Sequence, residues 1–240
     1  MTEPLYREDA DAREAEATVT EVNDRGGIIL DRTIFYPQSG GQPGDSGTLA
    51  IAGNTIEIAT TVYAEDRTTI VHVPAAGQAL PAPGETAALA LNWDRRHAHM
   101  RMHTALHLMC AIVPFPVTGG QISEGTGRLD FDVADASALD REELTKRLNG
   151  LVTADHPVST RWITDDELSA QPELVRTMSV KPPSGSGRVR LVAIGANGEI
   201  DLQPCGGTHV KSTSEIDGLT VTKIEKKGRQ NRRVRLAFAH

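Results

Sequence analysis

The stretch DRRHAHMRMHTALHLMCAIV, residues 94–113, divides the sequence into two parts of different character. It runs for about twenty residues without glycine or proline, which predicts a long α-helix. Pro114 and Pro116 follow it and predict where the helix ends, because proline cannot continue a helix. We therefore expect a strand-rich part before this helix and a mixed part after it.

Short segments that are rich in β-branched residues and bounded by turn residues fill the N-terminal part. They predict six strands, at residues 18–22, 27–30, 33–36, 55–61, 69–73 and 86–91. Short strands at regular spacing favour a small barrel or a sandwich. The glycine-rich loop YPQSGGQPGDSG, residues 36–47, lies among them and lacks the Gly-Lys-Ser/Thr of a phosphate-binding P-loop.

The C-terminal part carries start signals for two further helices. One capping pair is Asp140 with Glu143, and the other is Thr164 with Glu167. In the first of these helices a stripe of leucines is expected to face the core: Leu144, Leu148 and Leu151. Residues 189–194 and 219–224 predict strands.

The last residues predict a hairpin. Residues 233–238 alternate apolar and basic side chains after a turn at Lys227-Gly228-Arg229. The predicted fold class is α+β, with a small β-barrel over residues 1–88 and an antiparallel sheet with packed helices over residues 89–240. The proline-containing segment 77–84 is the candidate linker.

Composition indicates a folded protein of a reducing compartment. The chain has 240 residues, a formal net charge of −7, 39% hydrophobic residues and a mean hydropathy of −0.30, values typical of globular proteins. Two cysteines exclude a disulfide scaffold. An acidic N-terminus and the absence of a stretch of roughly 20 apolar residues predict no signal peptide and no membrane partner, so we expect a cytoplasmic protein. The acidic total argues against a nucleic-acid partner.

Two pairs of residues are spaced for a shared metal ion. His103 and His107 are four residues apart on the predicted helix, which places both imidazoles on one face. About one hundred residues later, proline and two glycines in PCGGTH predict a tight loop that carries Cys205 and His209. Together they form a Cys/His₃ set suited to zinc. The alternative interpretation is a buried cysteine with two surface histidines.

The residues around this set leave alternatives open. Cys110 is interpreted as a core residue, although its spacing from His107 allows a competing ligand. His99 is interpreted as a residue behind the ligands or at the surface. If all four side chains bind zinc, the site is closed and structural; if one is displaced, a zinc-bound water becomes the candidate catalytic group. Gly206 and Gly207 would admit a substrate and could present N–H groups to an oxyanion, which favours hydrolysis.

The strings MHTALHL, residues 102–108, and QPCGGTHV, residues 203–210, resemble the editing domain of alanyl-tRNA synthetase. The same domain occurs in threonyl-tRNA synthetase and in freestanding AlaX proteins. Further matches run along nearly the whole chain: FYP at 35–37, GGQPGD at 40–45, GQ at 120–121, RLDF at 128–131, IEKKG at 224–228 and NRR at 231–233. With its glycine-rich N-terminal part, the chain is similar to the medium-length AlaX class. No adenylation signature is evident, so we do not expect the protein to bind ATP. We expect a trans-acting editor and not a synthetase.

This resemblance implies hydrolysis of the ester on mischarged tRNA(Ala), with serine as the chief and glycine as a second candidate amino acid. It implies zinc ligands at His103, His107, Cys205 and His209. It also implies substrate contacts at Thr104 and Gln121, in addition to those of the two loop glycines. The alternatives are a threonine that only packs in the helix and a glutamine exposed on a loop. Ser39 stands where the family often has glycine, a change that costs little if φ at Ser39 is negative.

Two other functions compete with tRNA editing. One is a non-catalytic, zinc-stapled module that binds tRNA or an amino acid. The other is a metal-dependent hydrolase of small esters or amides, which would act on free aminoacyl esters without tRNA. The oligomeric state is not predicted.

Charge is distributed unevenly along the chain. Residues 222–240 hold seven Lys and Arg residues against one Glu, a net charge of +6, which leaves −13 for the rest. A solvated strand face is one interpretation. Beside a site for the acceptor end of aminoacyl-tRNA, we interpret these residues as phosphate contacts, with the candidates Lys226, Lys227, Arg229, Arg232 and Arg233.

Overall fold

A computed structural model describes residues 2–133, 139–176 and 187–239 of the protein. Its strands are β1 Glu3–Pro4, β2 Glu14–Val22, β3 Ile28–Leu30, β4 Arg32–Thr33, β5 Gly47–Ile51, β6 Asn54–Tyr63, β7 Ile70–Pro74, β8 Thr86–Leu91, β9 Val117–Ser123, β10 Thr126–Asp132, β11 Val158–Thr164, β12 Arg188–Ile194, β13 Asp201–Pro204, β14 Leu219–Lys226 and β15 Asn231–Phe238. The α-helices are α1 Trp93–Ile112, α2 Arg141–Thr153 and α3 Asp165–Ser169, and short 3₁₀ helices lie at Leu5–Arg7, Pro172–Leu174 and Thr213–Ile216. The α+β fold class is confirmed.

The chain forms two compact units, residues 1–98 and 99–240. This boundary lies inside α1, whereas the sequence pattern suggests a division between residues 88 and 89. The difference has a structural reason: β8 continues to Leu91 and pairs with both β2 and β5, and Arg96 holds the first turn of α1 to the first unit by donating to Asp45. Among the described residues, no helix is both long enough and apolar enough to cross a membrane.

The first unit contains a closed six-stranded barrel in the order β2-β3-β7-β6-β5-β8. All its neighbouring strands pair antiparallel, so closure leaves no strand edge unpaired. Alternate residues of the strands fill the interior, as the two-residue period of a strand requires. The core includes Val19 of β2, Leu49 of β5, Ile58 of β6 and Leu89 of β8.

One predicted strand of this unit is wrong. Residues 33–36 are predicted to form a strand, but only Arg32–Thr33 does so, pairing with β1. The N–H of Phe35 binds the Thr33 hydroxyl at 3.0 Å and the N–H of Tyr36 binds Asp45 Oδ2 at 2.6 Å. These residues are buried as in a strand, yet their donors go to side chains. Strand β5, directly after the glycine-rich loop, is not among the predicted strands.

A buried arginine holds the glycine-rich loop. Arg96 is fully buried, and its guanidinium contacts Asp45 Oδ2 through Nε at 2.8 Å and through Nη2. The same guanidinium donates to the carbonyls of Ala10 and Ile34. Gly44 is required nearby, because a Cβ there would lie 1.9 Å from the carbonyl oxygen of Thr61. Ser39 is not among the described non-glycine residues with positive φ, so serine fits this position without backbone strain.

The second unit contains a four-stranded sheet, β14-β15-β10-β9, and a three-stranded sheet, β11-β12-β13. The terminal hairpin is confirmed, with Lys226 paired to Arg232 at its turn. The capping box of Thr164 and Glu167 is confirmed in α3. Helix α2 begins after Asp140 as predicted. Its buried stripe is Leu144, Leu148 and Val152, while Leu151 is partly exposed.

Candidate metal centre

Helix α1 brings two histidines to one buried face. The helix approaches β10 closely at Gly127, where a Cβ would lie 2.7 Å from Met102 Sδ. His103 and His107 lie one turn apart and are 9% and 5% exposed. The centroids of their imidazole rings are 5.3 Å apart, close enough for one ion to reach both.

The loop after β13 supplies the other two members of the cluster. Cys205 Sγ lies 3.5 Å from His103 Nε2 and 3.4 Å from His209 Nε2. One potential ligand atom from each of His103, His107, Cys205 and His209 lies within 4.8 Å of the others. The structure thus brings together the four residues that the two sequence patterns singled out.

Arg190 fixes this loop from β12. Its Nη1 donates to the carbonyl oxygens of Cys205 at 3.0 Å and Gly207 at 2.9 Å. The N–H of Cys205 in turn donates to the carbonyl of Arg190 at 3.1 Å. Because Arg190 is buried, these bonds satisfy polar groups that would otherwise be costly to bury, and they set the position of Cys205.

Two hydrogen bonds orient imidazoles within the cluster. His107 Nδ1 lies 2.9 Å from Asp201 Oδ2, and Asp201 also accepts from Gln203 Nε2 at 2.8 Å. The Thr104 hydroxyl donates to the Met100 carbonyl at 3.0 Å, so its oxygen accepts from His209 Nδ1 at 3.1 Å. In both histidines Nδ1 therefore carries the proton and Nε2 is directed to the ligand set.

Electrostatics favours the thiolate form of Cys205. Burial raises the pKa of Cys205, but the neighbouring His103 and hydrogen bonds from His103 and His107 outweigh burial and bring the pKa well below its usual value. The N–H of Gly207, 3.4 Å from the sulfur, adds a hydrogen bond to the thiolate. Burial and then the neighbouring His103 lower the pKa of His209 well below its usual value, so that ring is neutral.

His107 differs from His209 in its protonation. Burial lowers the pKa of His107, but hydrogen bonds to Asp201 and Cys205 raise it to about 10. With this pKa, His107 is protonated on both ring nitrogens at neutral pH. A metal ion that bound Nε2 of His107 would displace the proton from that atom, since a coordinating imidazole is neutral. Three imidazole nitrogens and one thiolate form a donor set that fits zinc, and the four residues are able to hold a metal ion.

Thr104 and Gln121 lie in different surroundings. Thr104 is fully buried behind His209, so its observed contact is with a candidate ligand. Gln121 is exposed on β9 and accepts a hydrogen bond from Arg128 Nε at 3.2 Å. Gln121 and Arg128 share a sheet face, and that face is opposite the one on which neighbouring Gly127 meets α1. Their contacts with a substrate stay predictions.

The two glycines of the loop are used differently. A Cβ on Gly206 would meet no atom within 4 Å, so this residue borders open space. Gly207 is buried, with its N–H on Cys205 Sγ and its carbonyl on Arg190. Of the two, Gly206 offers the accessible face.

The predicted phosphate contacts divide into two groups. Lys226, Lys227 and Arg229 are exposed around the turn of the terminal hairpin. Arg232 is buried, and Arg233 makes a two-pronged ion pair with Asp130 at 2.7 and 2.8 Å. The first group is therefore the better placed to contact an RNA backbone.

Two neighbouring residues are also settled by burial. Cys110 is buried, and burial raises its pKa to about 12, as expected for a neutral core thiol. His99 is fully buried, so the surface interpretation of His99 is wrong.

Sequence reasoning missed Asp201, Gln203 and Arg190. A signal for the first two was present: residues 201 and 203 alternate along a strand directly before Cys205, which places Asp201 and Gln203 on one face of that strand. No comparable local pattern identifies Arg190, which reaches the loop across a strand pair.

Both the N-terminal and the C-terminal part of the chain are similar to known proteins. Residues 189–235 match the threonyl and alanyl tRNA synthetase second additional domain, and residues 8–95 match the class II (A) tRNA synthetases. The alanyl-tRNA editing protein AlaX-M of Methanosarcina acetivorans is 36% identical over 98% of this chain and 98% of its own length. AlaX-M of Saccharolobus solfataricus is 32% identical with the same coverage. The alanine–tRNA ligase of Pyrobaculum aerophilum is 30% identical over 94% of this chain but 25% of its own length.

Proposed function

Because the chain belongs to the AlaX-M family of alanyl-tRNA editing proteins, we propose that it removes wrong amino acids from tRNA(Ala) by hydrolysing their ester bond. The observation that carries the proposal is the convergence of His103, His107, Cys205 and His209 in one cluster. Serine is the chief candidate amino acid and glycine the second. Because the proposed substrate is an aminoacyl-tRNA, we propose that the protein acts in the cytoplasm.

Zinc is the ion we propose for the cluster, held by the three Nε2 atoms and the Cys205 thiolate. With one of these four ligands displaced, zinc would supply a Lewis acid that can polarise an ester carbonyl or acidify a water; with all four bound it would only tie α1 to the loop of Cys205. The chain's own part is to fix the ligands. Asp201 holds His107, Thr104 holds His209, and Arg190 holds the loop that carries Cys205. Gly206 leaves the cluster approachable from its open side.

A ribose ester needs only a positioned water and stabilisation of the tetrahedral oxyanion, so a Ser-His-Asp triad is not required. Serine and alanine differ by one hydroxyl, which binding alone discriminates poorly. A second site that hydrolyses the wrong product is the general solution to this problem. We expect a polar group of that site to recognise the hydroxyl of serine.

Deacylation of preformed Ser-, Gly- and Ala-tRNA(Ala) tests the proposal. We expect release of serine, weaker release of glycine and no release of alanine. The double variant His103→Ala/His107→Ala should lose activity and stoichiometric zinc. His97→Ala, a change to a histidine of the same helix outside the cluster, should retain both.

The binding-module alternative has its own outcome in this assay. If wild type and the double variant release serine equally slowly while both still bind tRNA, the protein is a binding module and not an editing hydrolase. Turnover of free aminoacyl esters without tRNA would instead indicate a small-ester hydrolase.

A further inference from the structure

An exposed tryptophan lies on β11, at the edge of the three-stranded sheet. Trp162 is 36% exposed and, with Leu80, is one of two large apolar side chains exposed among the described residues. The guanidinium carbon of Arg188, on the neighbouring strand, lies 5.2 Å from the centroid of the Trp162 ring. An aromatic ring that is open to solvent beside an arginine is suited to stacking with unpaired bases.

Trp162 shares a sheet face with the residue that fixes the metal-binding loop. In the register of β11 and β12, Trp162 lies directly opposite Arg190. Side chains directly opposite on antiparallel strands point to the same face, with Cβ atoms about 5 Å apart. Arg190 is the residue that holds the carbonyls of Cys205 and Gly207. Trp162 therefore lies beside Arg190 on one side of β12, while the loop that presents Cys205 and the open side of Gly206 follows β13 on the other side of β12.

We propose that Trp162, supported by Arg188, stacks on an unpaired base of the single-stranded 3′ end of tRNA. The inference rests on the proposed function, because the ester to be hydrolysed sits on the last nucleotide of that end. The bases that precede this nucleotide must then pass close to the metal-binding loop. Stacking can hold a single-stranded RNA end in place whatever its sequence, since every base offers a π face. The arginine adds positive charge beside the phosphates.

Tryptophan fluorescence reads this contact without any activity. The chain has two tryptophans, so Trp93→Phe leaves Trp162 as the only one. We expect the emission of Trp162 to be quenched by an RNA hairpin of the acceptor stem that carries a single-stranded 3′ end and no amino acid. A matched hairpin with a blunt end should quench weakly or not at all. Equal quenching by both hairpins would overturn the proposal.

Replacement of the ring supplies the second arm of the test. Trp162→Ala should raise the Kd for tRNA(Ala), and the KM for Ser-tRNA(Ala), about tenfold or more, with kcat and zinc content unchanged. Trp162→Phe should retain most of the affinity because it keeps a π face. Leu80→Ala, at the other exposed apolar residue, is the control and should change neither constant.

The outcomes separate this inference from the function on which it rests. If Trp162→Ala binds and deacylates tRNA as wild type does, the stacking proposal is wrong and the editing proposal stands. If wild type itself fails to deacylate Ser-tRNA(Ala), the editing proposal is wrong, and with it the reason for a tRNA end at this ring.

Discussion

Two of the three imidazoles of the cluster are oriented by the partner of their second nitrogen. Asp201 accepts from His107, and the Thr104 hydroxyl accepts from His209, so both rings direct Nε2 to the ligand set. Sequence patterns alone identify the four candidate ligands because each pair has a recognisable local spacing. They do not assign Asp201 to His107, since the two lie 94 residues apart. The family resemblance also singles out Thr104, but for a role toward substrate that its full burial does not support directly.

Thr104→Val tests the orienting role of the hydroxyl. Valine has nearly the shape of threonine but cannot accept from His209 Nδ1, so the ring loses its fixed tautomer. We expect the affinity for zinc to fall about 10- to 100-fold, as is typical when the partner of a metal-bound histidine is removed. Competition with a chelator of known affinity measures the change.

Thr104→Ser is the matched control, because it keeps the hydroxyl and removes only a methyl group. Its zinc affinity should stay close to that of wild type. Equal affinity of the valine and serine variants would contradict the orienting role.

Among the secondary-structure elements, the strands of the barrel show where sequence prediction succeeds and fails. Segments such as β6 and β8 are predictable because their β-branched and apolar residues alternate. Residues 34–36 are also of types that favour strands, one β-branched and two aromatic, but a threonine hydroxyl and a carboxylate take the N–H groups of Phe35 and Tyr36. The carboxylate, Asp45, is nine residues from Tyr36 and is itself held by Arg96, so no local pattern reveals the arrangement.

Strand β7 carries a buried histidine that links stability to pH. His72 is fully buried, with Nδ1 3.1 Å from the Ile28 carbonyl and Nε2 2.8 Å from the Thr33 hydroxyl. Burial lowers the pKa of His72 from 6.5 to about 4. The unfolded chain therefore takes up a proton before the folded one does. Stability present above pH 6.5 is lost as the pH falls toward 4.

His72→Gln tests this linkage, because glutamine offers a donor and an acceptor but no titrating group. Between pH 7.5 and 4.5 we expect the free energy of unfolding of wild type to fall by roughly 2–3 kcal/mol more than that of the variant. Urea unfolding at both pH values measures it, and carboxylates common to both proteins cancel in the difference. Parallel pH dependences would show that His72 is not the group responsible.

Over the whole molecule, net charge is a poor guide to the partner. The total of −7 argues against nucleic acid, yet the last nineteen residues carry +6. Asp130 neutralises part of that excess by pairing with Arg233, and Glu225, which is already counted in the +6, pairs with Arg235 and Lys223. The sign of this region is readable from sequence, but the pair with Asp130 is not, because Asp130 comes from another strand. What remains exposed is the basic turn of Lys226, Lys227 and Arg229.

Removal of this basic turn should weaken the salt dependence of tRNA binding. For the triple variant Lys226→Gln/Lys227→Gln/Arg229→Gln, we expect the slope of log K against log salt to become shallower. The change should be about 0.7–0.9 for each phosphate that the variant no longer neutralises. Binding titrations at several salt concentrations measure the slope.

The matched control removes the same number of charges from exposed positions of α2: Arg141→Gln/Lys146→Gln/Arg147→Gln. This variant should keep the wild-type slope. If the slope becomes equally shallow in the two triple variants, binding follows the total charge and not the hairpin turn.

The separation of the candidate metal ligands along the chain would make a bound ion equivalent to a cross-link. His103 and Cys205 are 102 residues apart, so one ion would tie the start of the second unit to the loop that follows β13. In an unfolded chain, closing a loop of about 100 residues removes conformational entropy worth about 4.7 kcal/mol by the estimate used for disulfides. Secreted proteins gain this restraint from a cystine. A protein that keeps its thiols reduced can gain it from coordination, and would lose it whenever the ion is taken away.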